Sequence, residues 1–459
     1  MQLFVPDDPR PIHFMGIAGA GMSALALLAR SRGVAVTGCD ANPRGAADVV
    51  RLGIPVLRGH DAKHVVGVRA VVHTSAVPSD HAELEAAKAA GIPVIRRAEA
   101  LGCVVNTGTT AAIAGTHGKT TTTVMTTLAL EAAGRDPTGI AGGRVPGWRG
   151  NARIGGTDLF VVEADEYDRS FLALKPRIAV VNNVEADHLE CYGSLDALES
   201  AFVEFASRAE RVLVGADDHG ALRVARRLNV PMWLVGSAPG ADIRLSRVEP
   251  DCDGTSAWLG LPGGRSVAVR LRVPGKHNVN NAAMALGVVR ALDGDIDAAV
   301  RGLADFQGVE RRFQVLGTAG AVTVVDDYAH HPTEVAAAIA AARQTFPGRR
   351  LIAVFQPHLY SRTQTHGEAL GEQLAAADQV VVTAIYPARE QPVEGVTGRM
   401  VADAVQRAGT AVEWIADLSA VPGVLVEMTR AGDVVLTLGA GDITEVGPEF
   451  LRAVAGAAA

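Results

Sequence analysis

Short apolar runs recur along this chain. Each is closed by glycine or polar side chains and followed by apolar residues at helical spacing. That alternation predicts strand, turn and helix units and a largely parallel α/β architecture. PIHFMGIAGAGMSALALLARSRG reads as strand, glycine turn and helix, and VAVTGCD as a second strand, opening a Rossmann-like unit. AVVHTSAV, HAELEAAKAAG and IPVI continue it. The polar connector VVNTGTT places a boundary near Asn106. AIAGTHGKTTTTVMTTLALEAAG then gives a buried strand, Ala111 to Ala114, a turn, and a helix with Val124, Leu128 and Ala132 on one face. A second boundary falls near Leu316; AVTVVDDYAHHPTEVAAAIAAA, LIAVFQPHLYSRT, QVVVTAIYPARE and DVVLTLGAGD follow, each an apolar strand ending in a polar or glycine-rich segment. The expected fold is α/β in three domains: residues 1–105 Rossmann-like, residues 106–315 a central α/β domain, and residues 316–459 Rossmann-like again. The alanine-rich end, Ala453 to Ala459, reads as a frayed tail.

The chemistry concentrates where these strands end. In the central domain Gly115, Thr116, His117 and Gly118 form the turn, and Lys119, Thr120 and Thr121 open the helix. Glycines let backbone N–H groups crowd an anion, the helix N-terminus adds partial positive charge, and lysine reaches a terminal phosphate. Thr120 is placed to ligate Mg²⁺. The spacing departs from the usual P-loop, since two residues rather than four separate Gly115 from the Gly118–Lys119 pair. The reading is still a P-loop-type ATP-binding domain, because four consecutive threonines are poor filler for a solvent-facing helix.

Two further apolar strands run into Glu163, Asp165, Glu166 and Asp168, and into Asn182, Asn183, Glu185, Asp187 and His188. Such groups hold Mg²⁺ against phosphates; as ordinary helix caps only one or two of them would be explained. Asn278 and Asn281, three apart at a helix start, can face one site, and Arg312 is a candidate phosphate contact. In the first domain the turn Gly16-x-Ala18-Gly19-Ala20-Gly21 suits a pyrophosphate on a helix N-terminus, whether of NAD or of another nucleotide diphosphate. Asp40 stands where a ribose-binding acid would, and His73, Ser75 and Arg97 lie on the ligand side of such a sheet.

Composition narrows the class. The 459 residues are 48% apolar and 20% charged, so each domain can bury a core. A net charge of −7 argues against nucleic-acid and membrane-surface partners. Ile12 to Ala29 is nearly uncharged, but it lacks a basic flank and carries three glycines, so it is no signal or spanning segment and the chain is expected in the cytoplasm. Cys39, Cys103, Cys191 and Cys252 are widely spaced without a CxxC, and read as reduced thiols, neither a disulfide frame nor a zinc site.

GIAGAGMS, GTHGKTTT, EADE, Asp187–His188, HNxxN, RRF, DDYAHHP and QPHLYSRT, in this order, resemble the Mur ligases from residue 12 to about residue 443. The resemblance implies an ATP- and Mg²⁺-dependent ligase acting through an acyl phosphate, with UDP-N-acetylmuramate and L-alanine as substrates. By motif position it implies Lys119 on the β- and γ-phosphates, Thr120, Glu163 and His188 as magnesium ligands, and Asn278, Asn281 and Arg312 at ATP. It further implies Asp327 at the ribose, and Tyr328, His330 and Arg362 near the amino acid and acyl phosphate. The chain has no lysine between Lys175 and Lys276, so the carbamylated lysine of several relatives is absent, as in the alanine-adding branch. Leu359 replaces an arginine that many relatives carry. A tripeptide-recycling ligase and a regulatory nucleotide-binding protein are the alternatives, whereas a dehydrogenase, suggested by the first glycine turn alone, leaves the ATP loop and acid clusters unexplained; monomer and homodimer both stay open.

Overall fold

The computed structural model describes residues 3–457. Three sheets of mostly parallel strands carry the chain, so the α/β expectation holds. The first sheet contains β1 (Ile12–Met15), β2 (Val36–Asp40), β3 (Val56–Arg58), β4 (Ala70–His73) and β5 (Val94–Arg96), in the order β3-β2-β1-β4-β5, all parallel. Ile12 to Ala29, flagged for its hydropathy, becomes β1, a glycine turn and most of the helix Ala20–Ser31. Among the described residues no helix is long and apolar enough to cross a membrane.

The second sheet has ten strands: β6 (Thr109–Ala114), β7 (Thr138–Ile140), β8 (Ala152–Arg153), β9 (Leu159–Glu163), β10 (Ile178–Val181), β11 (Arg211–Gly215), β12 (Met232–Gly236), β13 (Ile243–Asp251), β14 (Gly254–Gly260) and β15 (Ser266–Leu271). Their order is β15-β14-β13-β12-β11-β10-β6-β9-β7-β8. β6 lies between β9 and β10, parallel to both; Ile113 pairs with Glu163 and Ala114 with Val181. That register delivers the ends of three strands side by side. The third sheet contains β16 (Gln314–Ala319), β17 (Val322–Asp327), β18 (Leu351–Phe355), β19 (Gln379–Thr383), β20 (Val412–Ile415) and β21 (Val434–Leu438) in the order β16-β17-β21-β18-β19-β20. Only the β16–β17 pair among them is antiparallel.

By contact density the chain forms two compact units, residues 1–248, 256–271 and 278–307 in one, residues 249–255, 272–277 and 308–459 in the other. The first sheet and most of the second lie within the first unit; the end of β13 and the first two residues of β14 are counted with the second. Ser23 Oγ donates to Asn151 Oδ1 at 3.3 Å, and Arg32 Nη2 donates to the Gly155 and Gly156 carbonyls at 3.0 and 2.6 Å.

Two local expectations need correction. The helix Lys119–Ala132 is buried nearly all round through Thr120–Thr127, whereas Leu128 and Ala132 are not in its core. The central sheet and neighbouring helices enclose its first turns, so a single apolar stripe does not describe it. The C-terminal alanines are helical as far as Ala457, in the helix Val446–Ala457; Ala458 and Ala459 lie outside the described residues.

Candidate active site

At the carboxyl end of β6, Gly115 and Gly118 adopt φ of +137° and +78°, which side chains resist. Asn182 and Asn281 crowd Gly118 and Asn182 crowds Gly115, so a Cβ at either would force these asparagines to shift. The loop is held from outside. Asn183 Oδ1 accepts the His117 N–H at 2.7 Å, and Asn183 Nδ2 returns a bond to the His117 carbonyl at 3.2 Å. Asn182 Nδ2 donates to Thr122 Oγ1 at 3.1 Å, and that hydroxyl lies 3.1 Å from Asn281 Oδ1. The Glu185 N–H donates to Thr116 Oγ1 at 2.9 Å, and His117 Nε2 lies 3.3 Å from a Glu185 oxygen. Asn281 Nδ2 reaches Asn278 Oδ1 at 3.5 Å, so the two asparagines do share one place. Thr120 and Thr121 are buried at the helix start.

Lys119 Nζ donates to the Gly115 carbonyl at 2.7 Å, to the Thr116 carbonyl at 3.2 Å, and to Glu166 Oε1 at 2.8 Å. Burial works against its charge, but Glu166, Asp165 and Glu163 more than offset this and hold it protonated. Glu163 Oε2 accepts the Gly142 N–H at 2.5 Å, and a Cβ on Gly142 would stand 2.6 Å from Glu163 Oε1. Gly142 is thus a cradle for that carboxylate. His188 has φ of +54°, packs edge-on against Tyr167 with centroids 5.1 Å apart, and sets Nδ1 3.4 Å from Glu190 Oε1.

In the first sheet, the Gly16 and Ile17 N–H groups donate to the Cys39 carbonyl, and the Ala18 N–H donates to Asp40 Oδ2 at 3.0 Å. Asp40 therefore also shapes the turn. Gly19 caps the helix Ala20–Ser31 and Gly21 lies in its first turn, under the Arg97 guanidinium. Arg97 Nη2 donates onward to Asp165 Oδ2 at 3.3 Å, joining this turn to the acids of β9. His73 is half-buried at the end of β4, and burial lowers its pKa; Ser75 follows on the exposed loop.

In the second unit, polar groups collect at the carboxyl ends of β17, β18 and β21. Asp327 accepts the Phe313 and Ala329 N–H groups, each at 2.7 Å, and burial raises its carboxyl to about 6. The Arg312 guanidinium lies 5.0 Å from the Tyr328 ring centroid and 3.8 Å from Glu334. His330 sets Nδ1 2.9 Å from the Tyr328 carbonyl, and its ring centroid is 5.8 Å from that of His358. Buried Arg362 lies 3.2 Å from His358 Nδ1. Leu359 takes φ of +66° just before the helix Tyr360–Leu374.

The structure thus groups Lys119, Thr120, Glu163, His188, Asn278 and Asn281 with the first unit, and Arg312, Asp327, Tyr328, His330 and Arg362 with the second. Sequence reasoning placed Asn182, Asn183 and Glu166 only collectively at a metal–phosphate centre, not as grips on the loop and its lysine, and it left Gly142 without a role. An asparagine after a strand looks like a generic turn former, and only the register reveals the loop it grips.

Three family models match the chain: "Mur ligase family, catalytic domain" over residues 11–109, "Mur ligase middle domain" over 113–289, and "Mur ligase, glutamate ligase domain" over 311–441. A UDP-N-acetylmuramate–L-alanine ligase of Kineococcus radiotolerans is 45% identical, covering 97% of this chain and 96% of its own. The enzyme of that name from Cutibacterium acnes is 42% identical, over 100% and 99%. Among solved structures, a UDP-N-acetylmuramate–alanine ligase of Thermotoga maritima superposes with a TM-score of 0.84 at 29% identity, over 97% and 99%. A murein peptide ligase of Psychrobacter arcticus shares the fold, with a TM-score of 0.74 at 24% identity, over 97% and 98%.

Proposed function

The chain belongs to the Mur ligase family, and we propose that it joins L-alanine to the lactyl carboxylate of UDP-N-acetylmuramate, cleaving ATP to ADP and phosphate. The observation that carries the reading is the glycine loop whose half-buried lysine bonds Glu166 and lies in the field of Asp165 and Glu163, in a chain alike over its length to alanine-adding ligases. The carboxylate takes the γ-phosphoryl group, giving an acyl phosphate; the amine of alanine attacks its carbonyl, and phosphate leaves with the C–O electrons. Two anions must meet, so the protein's task is positioning and charge neutralisation.

Lys119 holds the β- and γ-phosphates, exchanging its present acceptors for phosphate oxygens. Mg²⁺ neutralises the phosphates and the carboxylate when bound. The hydroxyl of Thr120 and the cradled carboxylate of Glu163 are the hard donors it prefers, with His188 as the third group. Residues 1–105 take the sugar nucleotide: Gly16, Ala18, Gly19, Ala20 and Gly21 meet the diphosphate, with Asp40, His73, Ser75 and Arg97 around it. Residues 106–315 take ATP. Residues 316–459 bring Asp327 to the ribose and Tyr328, His330 and Arg362 to the amino acid. The reaction belongs in the cytoplasm, where ATP is available.

The test is Mg²⁺-dependent phosphate release from ATP with UDP-N-acetylmuramate and, in turn, L-alanine, glycine, L-serine or the tripeptide L-Ala-γ-D-Glu-meso-diaminopimelate. Release is expected to be strongest with L-alanine. Lys119→Ala is expected to lower it by about 10²-fold or more while calorimetric binding of the sugar nucleotide persists. Release with tripeptide alone would overturn the alanine assignment; undiminished turnover in the variant would remove Lys119 from the phosphates.

A further inference from the structure

Behind the glycine turn of the first domain, one face of the first sheet carries a buried knot of metal-ligating side chains. His13 on β1 and Cys39 on β2 point to the face covered by the turn Ala62–Val65 and the helix Ala82–Ala89. His13 Nε2 lies 3.3 Å from Cys39 Sγ and 3.7 Å from Glu83 Oε1. Cys39 Sγ is 3.5 Å from both Glu83 oxygens, and His64 Nδ1 is 2.6 Å from Glu83 Oε1. The four donor atoms all lie within 4.8 Å of one another. His60 Nδ1 flanks them, 3.1 Å from Cys39 Sγ and 3.2 Å from Glu83 Oε2. His13, Cys39 and Glu83 are fully buried.

We propose that His13, Cys39, His64 and Glu83 form a closed four-donor site for a zinc-type divalent transition metal. Zinc–ligand bonds of about 2.0–2.3 Å give tetrahedral edges of roughly 3.3–3.7 Å, and most of the measured separations need only small adjustment to meet them. His13 Nδ1 is engaged with Thr37 Oγ1 at 3.0 Å, which turns Nε2 towards the knot, as an outer hydrogen bond does for a ligating imidazole. Charge closes as well. Among the described residues no lysine or arginine is paired with Glu83, and a divalent cation with one carboxylate, one thiolate and two neutral imidazoles sums to zero, as a dry interior requires. Metal entry releases the Cys39 proton to solvent, so affinity rises with pH. Thiolate and imidazole exclude Mg²⁺ in favour of borderline-soft ions. The donors come from positions 13, 39, 64 and 83, and this is why cysteine spacing along the chain gave no sign of zinc.

The experiment is a Co²⁺ titration of the full chain in excess Mg²⁺ without nucleotide, followed by absorption. Expected is one tightly held cobalt per chain with a thiolate-to-cobalt charge-transfer band and intense tetrahedral ligand-field bands. The charge-transfer band should vanish in Cys39→Ser and survive in Cys191→Ser, which controls for cobalt at His188. His64→Ala should weaken binding at least tenfold. Zn²⁺ should raise the unfolding temperature of the wild-type chain, a readout independent of any variant's folding. Failure of the wild-type chain to hold cobalt, or a charge-transfer band that outlasts Cys39→Ser, overturns the proposal.

Discussion

Asp327 shows how a single residue can be located by motif and still hide its chemistry. Its place at the end of an apolar strand was legible. Its two backbone donors, Phe313 and Ala329, were not, because the first comes from a turn fourteen residues upstream. The folded carboxyl keeps its proton up to about pH 6, whereas an unperturbed aspartate loses it near 3.8. Between those values the folded state binds more protons than the unfolded one, so this group's contribution to stability falls as pH rises through the window. Two pKa units set a ceiling of about 3 kcal/mol, reduced by the solvent that still reaches the side chain. Urea unfolding of wild type and Asp327→Asn at about pH 4.5 and 7 should therefore show the wild type losing ground to the variant as pH rises. Parallel profiles would contradict the raised carboxyl.

At the scale of elements, the strand–loop–helix unit from Thr109 to Ala132 was the most readable part of the chain, and its details were the least. The threonine run, singled out as poor filler for a solvent-facing helix, is buried, Thr122 and Thr123 completely. Thr126 and Thr127 turn their hydroxyls back to the Thr122 and Thr123 carbonyls, so a β-branched run survives inside the helix. Three strands between Ile243 and Leu271 went unread, because their alternation of buried and exposed residues carries no chemical motif. The glycine loop makes a sharp prediction. A Cβ at Gly118 would stand 2.7 Å from Asn281 Oδ1, and its left-handed backbone adds about 1–2 kcal/mol of strain for any other residue. Gly118→Ala should lower the unfolding temperature and cut phosphate release at least tenfold. Turnover close to wild type would mean that the loop does not bind phosphate in this conformation.

At the scale of the whole chain, the three-sheet plan could be read because each apolar strand ends in a polar or glycine-rich segment. The coupling between sheets could not, since it depends on pairs remote in sequence. Arg97 is the clearest such pair: it covers Gly21 of the first turn and bonds Asp165 beside the second. Loss of a hydrogen bond to a charged partner costs about 1.5–3 kcal/mol. Arg97→Ala is therefore expected to raise the KM for the sugar nucleotide about tenfold or more with the KM for ATP little changed, as steady-state kinetics would read. An equal rise for both nucleotides would assign Arg97 to general stability.

The order of strands in the third sheet has a consequence for biosynthesis. β21, the last of the described strands, lies in the middle, between β17 and β18. While the ribosome is still making the segment after Thr383, the strands already outside cannot close this sheet, and β17 and β18 each expose an unpaired edge. This part of the enzyme therefore completes its core only once Val434–Leu438 has emerged. A message cut short before Val434 yields two half-sheets open to aggregation, where loss of an outer strand would only have trimmed the product.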